Sequence, residues 1–163
     1  MLMKNSINFI DKIISGGQTG ADKAALDVAI ALGIEHGGWC PKGRINEAGR
    51  IPSFYNLTES SSNLYQQRTS LNVKESDSTL IIIKNGKWGK GTLLTRNLCE
   101  SFDKKYFIAD VQKKQCEKYF EEWLNEHAPK VLNIAGNRES TSNGIYDDTV
   151  KFLLKGLNYK KGQ

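Results

Sequence analysis

The chain predicts an α/β fold: a single-domain, Rossmann-like, doubly wound sheet, mostly parallel, of about five main strands with helices on both faces. Three observations carry this. Short apolar or β-branched runs alternate with helical patterns along the chain, which is how parallel strands joined by crossover helices read. Glycines fall where the first apolar run turns into the first helix. The length, 163 residues, suits one domain with a core of its own.

Taken in order, Lys12 to Ile14 form the first strand. Ala21, Ala24, Ala25, Val28, Ala29 and Leu32 then recur at helical spacing, a stripe of mostly small residues that packs closely on a sheet, and Gly33 supplies the stop. Residues 36–40 are the second strand candidate. A glycine- and proline-punctuated loop is expected over residues 41–62, a length usual for functional or mobile segments. Residues 64–77 read as a mostly polar helix, 79–83 as a buried strand, 91–102 as a helix and 105–109 as a strand. Residues 111–127 have the composition of a surface helix, 131–135 form another strand, and 144–157 close the chain with Tyr146, Val150, Leu153 and Leu154 on one helix face.

Hydrophobic residues make up 39% and charged residues 25%, with 15 glycines against 3 prolines, which places the chain among loop-rich globular proteins rather than disordered ones. Apolar stretches such as residues 80–83 are far too short to cross a bilayer, and residues 1–10 carry neither an adequate apolar region nor a cleavage site. A cytoplasmic location and no membrane partner are therefore expected. Cys40, Cys99 and Cys116 are odd in number and lack zinc-site spacing, so reduced thiols and no protein-ligated metal are expected. The net charge of +5 favours acidic partners. Lys84, Lys87, Lys90 and Arg96 fall in one stretch without an acid between them, whereas Lys160 and Lys161 read as a solvated terminus.

The turn Ser-Gly-Gly-Gln-Thr-Gly-Ala-Asp at residues 15–22 admits two readings. The first helical N–H groups lack intrahelical partners and the helix dipole is positive there, so a glycine-rich entry suits an anion. Alternatively Thr19 caps the helix and Asp22, three residues on, closes a capping box. If the strand ending at Ile14 lies beside the strand 79–83, this turn and the loop 85–92 face each other across one crevice, and Gly89-Lys90-Gly91-Thr92 offers a second helix N-terminus with Thr92 near its cap. A dinucleotide site fits less well, because the region 37–44 offers Lys42 and Arg44 rather than an acid for a ribose. Those two side chains either meet a further anionic group or are exposed loop charges. Arg68, Asn72 and Ser76 share a helix face with Tyr65 and Thr69 beside them; such a face is either solvated or a clamp for a charged heterocycle. His36 and His127 stand in unrelated contexts and Cys40 has no base in its segment, so no catalytic residues are assigned.

Four ordered motifs resemble the molybdenum carrier family, the circularly permuted YpsA-like branch of the SLOG superfamily: residues 15–22 as above, Gly-Gly-Trp-Cys-Pro-Lys-Gly-Arg at 37–44, Arg-Thr-x-x-Asn-Val-x-x-Ser-Asp at 68–77 and Leu-Asn-Ile-Ala-Gly-x-Arg-Glu-Ser at 132–140. The resemblance implies a Rossmann-like fold, homo-oligomers, and binding of molybdenum cofactor or another phosphorylated nucleotide- or pterin-like ligand. Carried over by position, the binding residues it implies are Gly16, Gly17, Gln18, Thr19, Gly20 and Asp22 in the first loop and Lys42 and Arg44 in the second, with Arg68 and Asn72 on the polar helix. Lys90, Gly91 and Thr92 match the Gly-Gly-Thr loop, with Lys90 where relatives have the first glycine. Gly136 and Arg138 match an Ala-Gly-Pro-Arg turn in which Asn137 replaces the proline, a change expected to loosen it. The superfamily also includes nucleotide phosphoribohydrolases of the LOG type and a single-stranded DNA binder. The hydrolase pattern needs a glutamate three residues after the threonine, where this chain has Thr95, and only Trp88 accompanies the basic stretch as a stacking aromatic for nucleic acid. A small-ligand carrier or sensor ranks first, a nucleotide-processing enzyme second and a nucleic-acid binder a distant third.

Overall fold

The computed structural model describes residues 9–157. Its elements are, in chain order, β1 (Lys12–Ile14), α1 (Ala21–Leu32), β2 (Glu35–Gly37), β3 (Trp39–Cys40), β4 (Ile45–Asn46), β5 (Gly49–Arg50), β6 (Thr58–Glu59), α2 (Tyr65–Glu75), β7 (Ser78–Ile83), α3 (Lys90–Ser101), β8 (Lys105–Asp110), α4 (Cys116–His127), β9 (Val131–Gly136) and α5 (Ile145–Gly156). Five strands form one parallel sheet in the order β2-β1-β9-β7-β8. Helices α1, α4 and α5 pack together on one face while α2 and α3 pack on the other. Crossovers through α1 and α4 run one way along the sheet and those through α2 and α3 run the other, so right-handed connections require opposite faces.

The two faces differ in chemistry because successive side chains of a strand point to opposite sides. Ile13, Leu80, Ile82, Leu132 and Ile134 join Ala25, Val28, Phe120 and Phe152 in the main apolar core beneath α1, α4 and α5. The intervening residues Thr79 and Asn133 are buried as well, yet polar. The side of the sheet covered by α2 and α3 thus carries buried polar groups beside apolar ones such as Ile81.

The sheet order corrects one expectation. β1 does not lie beside β7; β9 sits between them, paired with both. The last strand in the chain is the central one, so the loops after β1, β7 and β9 still open on the same end of the sheet. The second strand also divides. Gly38, at φ 125° and tight against the Ser15 backbone, turns the chain out of the main sheet after β2, and β3 pairs with β6 instead. The expected loop 41–62 contains that strand and the β4–β5 hairpin, and packs onto α1 through Leu26, Cys40, Ile51, Tyr55 and Leu57. Helix α4 begins later than residue 111, since Lys113 N–H donates to the Asp110 carbonyl in a turn and Gln115 adopts φ 64° ahead of the helix. Helix α5 follows the expected span to within a residue at each end. All three cysteines are buried and free. Among the described residues no helix is long and apolar enough to cross a membrane. Lys160 and Lys161 lie outside the described residues.

Candidate ligand-binding cleft

A cleft of about 570 Å³ opens at the carboxyl ends of β1, β9 and β7 and runs inward between α2 and α3. Asn133, Ala135 and Gly136 of β9 form its floor. Helix α2 contributes Tyr65, Arg68, Thr69 and Asn72, and α3 contributes Leu94 and Thr95 behind its first turn, Gly89 to Thr92. Gly16, Gln18 and Asp22 around the start of α1 and Arg138, Ser140 and Thr141 of the loop after β9 line its mouth. This is where strand order reverses, and such crevices are where open α/β sheets bind ligands.

Arg68 is the central cation. Its guanidinium donates to the Gly16 carbonyl and lies 3.7 Å from Asp22 Oδ2, and both side chains are more than nine-tenths buried. A Cβ at residue 16 would fall on that guanidinium, so Gly16 leaves room for Arg68. Burial pushes the Asp22 carboxyl up from its ordinary 3.8 to about 6; Arg68 and the N–H groups of Gln18 and Gly16 only partly offset it. The same desolvation lowers the Arg68 pKa, with Asp22 opposing. Tyr65 carries Arg68 and Arg138 over its ring, at 5.1 and 5.4 Å from the centroid. Two buried donors on the cleft wall, Arg68 Nε and Gln18 Nε2, have no hydrogen-bond partner among the described residues.

The two helix N-termini are not equivalent. In α1, Ala21 N–H donates to the Asn137 carbonyl and Lys23 N–H to the Gln18 carbonyl, with Asp22 itself on the first turn. The capping box does not form: Gly20 is the cap residue, Thr19 Oγ1 accepts from Glu139 N–H, and Asp22 accepts from Gln18 N–H. In α3 the first-turn N–H groups of Lys90, Gly91 and Thr92 are the ones an α-helix leaves without intrahelical acceptors. A Cβ at Gly91 would meet open space. The open terminus is therefore α3's, and α1's is engaged by its own neighbours.

Of the residues expected at the site, Gly16, Gln18, Asp22, Arg68, Asn72, Lys90, Gly91, Thr92, Gly136 and Arg138 line this cleft. Gly17 and Gly20 do not: a Cβ at Gly17 would meet Leu57 and Ile51, and one at Gly20 the Asn137–Glu139 backbone, so these positions serve packing. Thr19 is directed to Glu47 on the hairpin. Arg44 is turned away too, donating to the carbonyls of Leu57, Pro52 and Tyr55, and Lys42 is exposed on the same loop. Asn72 lines the wall, but its amide accepts from Trp39 N–H at 2.8 Å and donates to Trp39 C=O at 3.0 Å, pinning β3. Of the basic stretch, Lys84 pairs with Asp148 on α5, Arg96 lies over Trp88, Lys87 is exposed away from the cleft, and Lys90 lines it.

The substitution at residue 137 has an outcome opposite to loosening. Asn137 is buried; its Oδ1 accepts from Gly89 N–H and Thr92 Oγ1, and its Nδ2 donates to Lys87 C=O and Ser142 Oγ. It ties the loop after β9 to the start of α3. Asn137 and Asn133 carried no periodicity or spacing signal that would have marked them.

A doubly wound parallel sheet with a polar cleft at its switch point defines an open, Rossmann-like α/β protein. The model described as the circularly permutated YpsA SLOG family matches residues 13–157, and the chain belongs to that family. The crystal structure of the "Putative molybdenum carrier protein" from Syntrophus aciditrophicus SB is similar to this chain, at 44% identity and a TM-score of 0.86 over 91% of this chain and 95% of that one. No curated protein matches.

Proposed function

We propose that the protein binds and carries a phosphorylated heterocyclic ligand, its phosphate at the first turn of α3 and its ring in the cleft. The observation that carries this is the pair of buried donors without partners, Arg68 Nε and Gln18 Nε2, on the wall of a cleft whose mouth holds the open N-terminus of α3. A buried donor left unpaired costs about 1–3 kcal/mol, which a bound oxygen acceptor recovers. The helix dipole and the Arg138 guanidinium favour negative charge at the same mouth.

Molybdenum cofactor, a phosphorylated pterin, fits this description, and the name of the structural relative favours it. Gly91 and Thr92 would meet its phosphate, while Gln18 and Arg68 would donate to oxygens of the ligand. Among the described residues no group of three His, Cys, Asp or Glu side chains gathers to hold a metal ion. A metal carried here rides on the ligand's own donor atoms. Nucleotide hydrolysis ranks second, because Thr95, in the place of the hydrolases' glutamate, gives its hydroxyl to the Gly91 carbonyl.

The test is Gly91→Val, which adds bulk into open space on an exposed helix turn. Titration calorimetry with purine riboside 5′-monophosphate should show affinity reduced at least about tenfold, since an anion at a helix N-terminus gains up to about 2 kcal/mol. The thermal midpoint should stay near the wild-type value. Unchanged affinity would sink the assignment, and release of free base from nucleoside monophosphates would favour the enzyme reading.

A further inference from the structure

Asn133 is a buried amide in a strand whose neighbours Leu132 and Ile134 belong to the apolar core. The pleat turns it the other way, onto the floor of the cleft, where it is 2% exposed. Its Nδ2 donates to Thr79 Oγ1 at 3.3 Å. Its Oδ1 has no partner among the described residues. The polar neighbours lining the inner cleft are engaged elsewhere: Asn72 with the Trp39 backbone and Thr95 with Gly91 C=O. A leucine would fill the same volume without the cost of an unpaired carbonyl.

We infer that the floor reads a ring N–H of the ligand through Asn133 Oδ1, selecting heterocycles that carry a lactam; this rests on the phosphorylated-heterocycle reading above. The unpartnered atom at the floor is an acceptor, so the ligand must supply a donor there. Leu94 and Ala135 beside it present apolar surface that suits a flat ring better than a sugar. With the phosphate at the first turn of α3, the ring is the part of the ligand that reaches inward between α2 and α3. Asn133 is thus a specificity-determining residue: an inorganic oxyanion leaves its oxygen unpaired, and a ring without N–H does the same.

The decisive comparison needs only the wild-type chain. Inosine 5′-monophosphate and purine riboside 5′-monophosphate share phosphate, sugar and ring system, and only the first carries the lactam. Calorimetry should show inosine monophosphate binding about tenfold more tightly, the equivalent of one buried hydrogen bond. Asn133→Leu should erase the difference between the two, and ribose 5-phosphate should bind no better than purine riboside monophosphate. Equal affinities in the wild type, a preference that survives Asn133→Leu, or a preference for ribose 5-phosphate would overturn the inference while leaving the phosphate site standing. Failure of all three phosphates to bind would remove both.

Discussion

The Asp22–Arg68 pair gives the chain a pH dependence whose sign and size follow from its burial. Asp22 rises from 3.8 to about 6 in the folded protein, chiefly because its carboxylate is cut off from water. A folded-state pKa above the unfolded one means that the native chain binds the extra proton between those values. The stability from Asp22 is therefore fully present below about pH 4 and is lost as pH rises through 6. At about 1.4 kcal/mol per pH unit the loss amounts to about 3 kcal/mol. Asp22→Asn removes the titration while keeping the shape and an oxygen for Gln18 N–H. Urea unfolding of both proteins from pH 4 to pH 7.5 isolates the term, because the other titrating groups cancel in the difference. Wild type should lose about 3 kcal/mol relative to Asp22→Asn across that window. The same proton bears on the ligand: sulfate, a dianion throughout the range, should bind wild type more tightly below pH 6, and Asp22→Asn with little pH dependence. A difference curve that is flat or rises with pH would refute the reasoning, since it would mean that Arg68 outweighs desolvation at this carboxylate.

Two further predictions concern the rim. Asn137→Ala deletes the side-chain bonds to Gly89, Thr92, Lys87 and Ser142 and should cost about 3 kcal/mol, roughly 10 °C in Tm; amide exchange at residues 89–92 should quicken, and a Tm within a degree or two of wild type would show that the asparagine does not hold the loop. Glu47, on the hairpin, accepts from Ser140 N–H at 3.2 Å, Ser140 Oγ at 2.5 Å and Thr19 Oγ1, and lies 3.7 Å from Arg138. Although burial works against it, these bonds hold its carboxyl below the ordinary glutamate range. It engages donors that a ligand anion would use, so Glu47→Gln should raise sulfate affinity several-fold, the worth of one half-exposed charge contact of about 1 kcal/mol; equal or weaker binding would count against this competition.

Much of the cleft was legible in the sequence because its local rules are short-range. Lys90, Gly91 and Thr92 open a helix after a strand, and such a turn exposes N–H groups whatever surrounds it. Arg68, Thr69 and Asn72 fall on one side of a helix by spacing alone. Gly17, Thr19, Gly20, Lys42 and Arg44 carry the residue types of an anion site but do not line the cleft. Gly17 faces Leu57 and Ile51, Thr19 reaches Glu47, Gly20 backs onto the loop after β9 and Arg44 bonds the carbonyls of Pro52, Tyr55 and Leu57, while Lys42 is exposed. No local pattern records which distant segment will arrive there.

By itself the sequence determined the alternation of strands and helices, hence a parallel sheet covered on both faces, because the periods of apolar residues and the glycine stops belong to each segment alone. Only the tertiary structure decided that β9 enters between β1 and β7, and so that Asn133 and Asn137 reach the cleft. It also decided which of two similar helix N-termini stays open. At α1 the Asn137 carbonyl and the Gln18 carbonyl take up first-turn N–H groups, whereas at α3 the corresponding groups line the cleft. Propensity is a property of neighbours in the chain, but the satisfaction of a buried donor depends on neighbours in space.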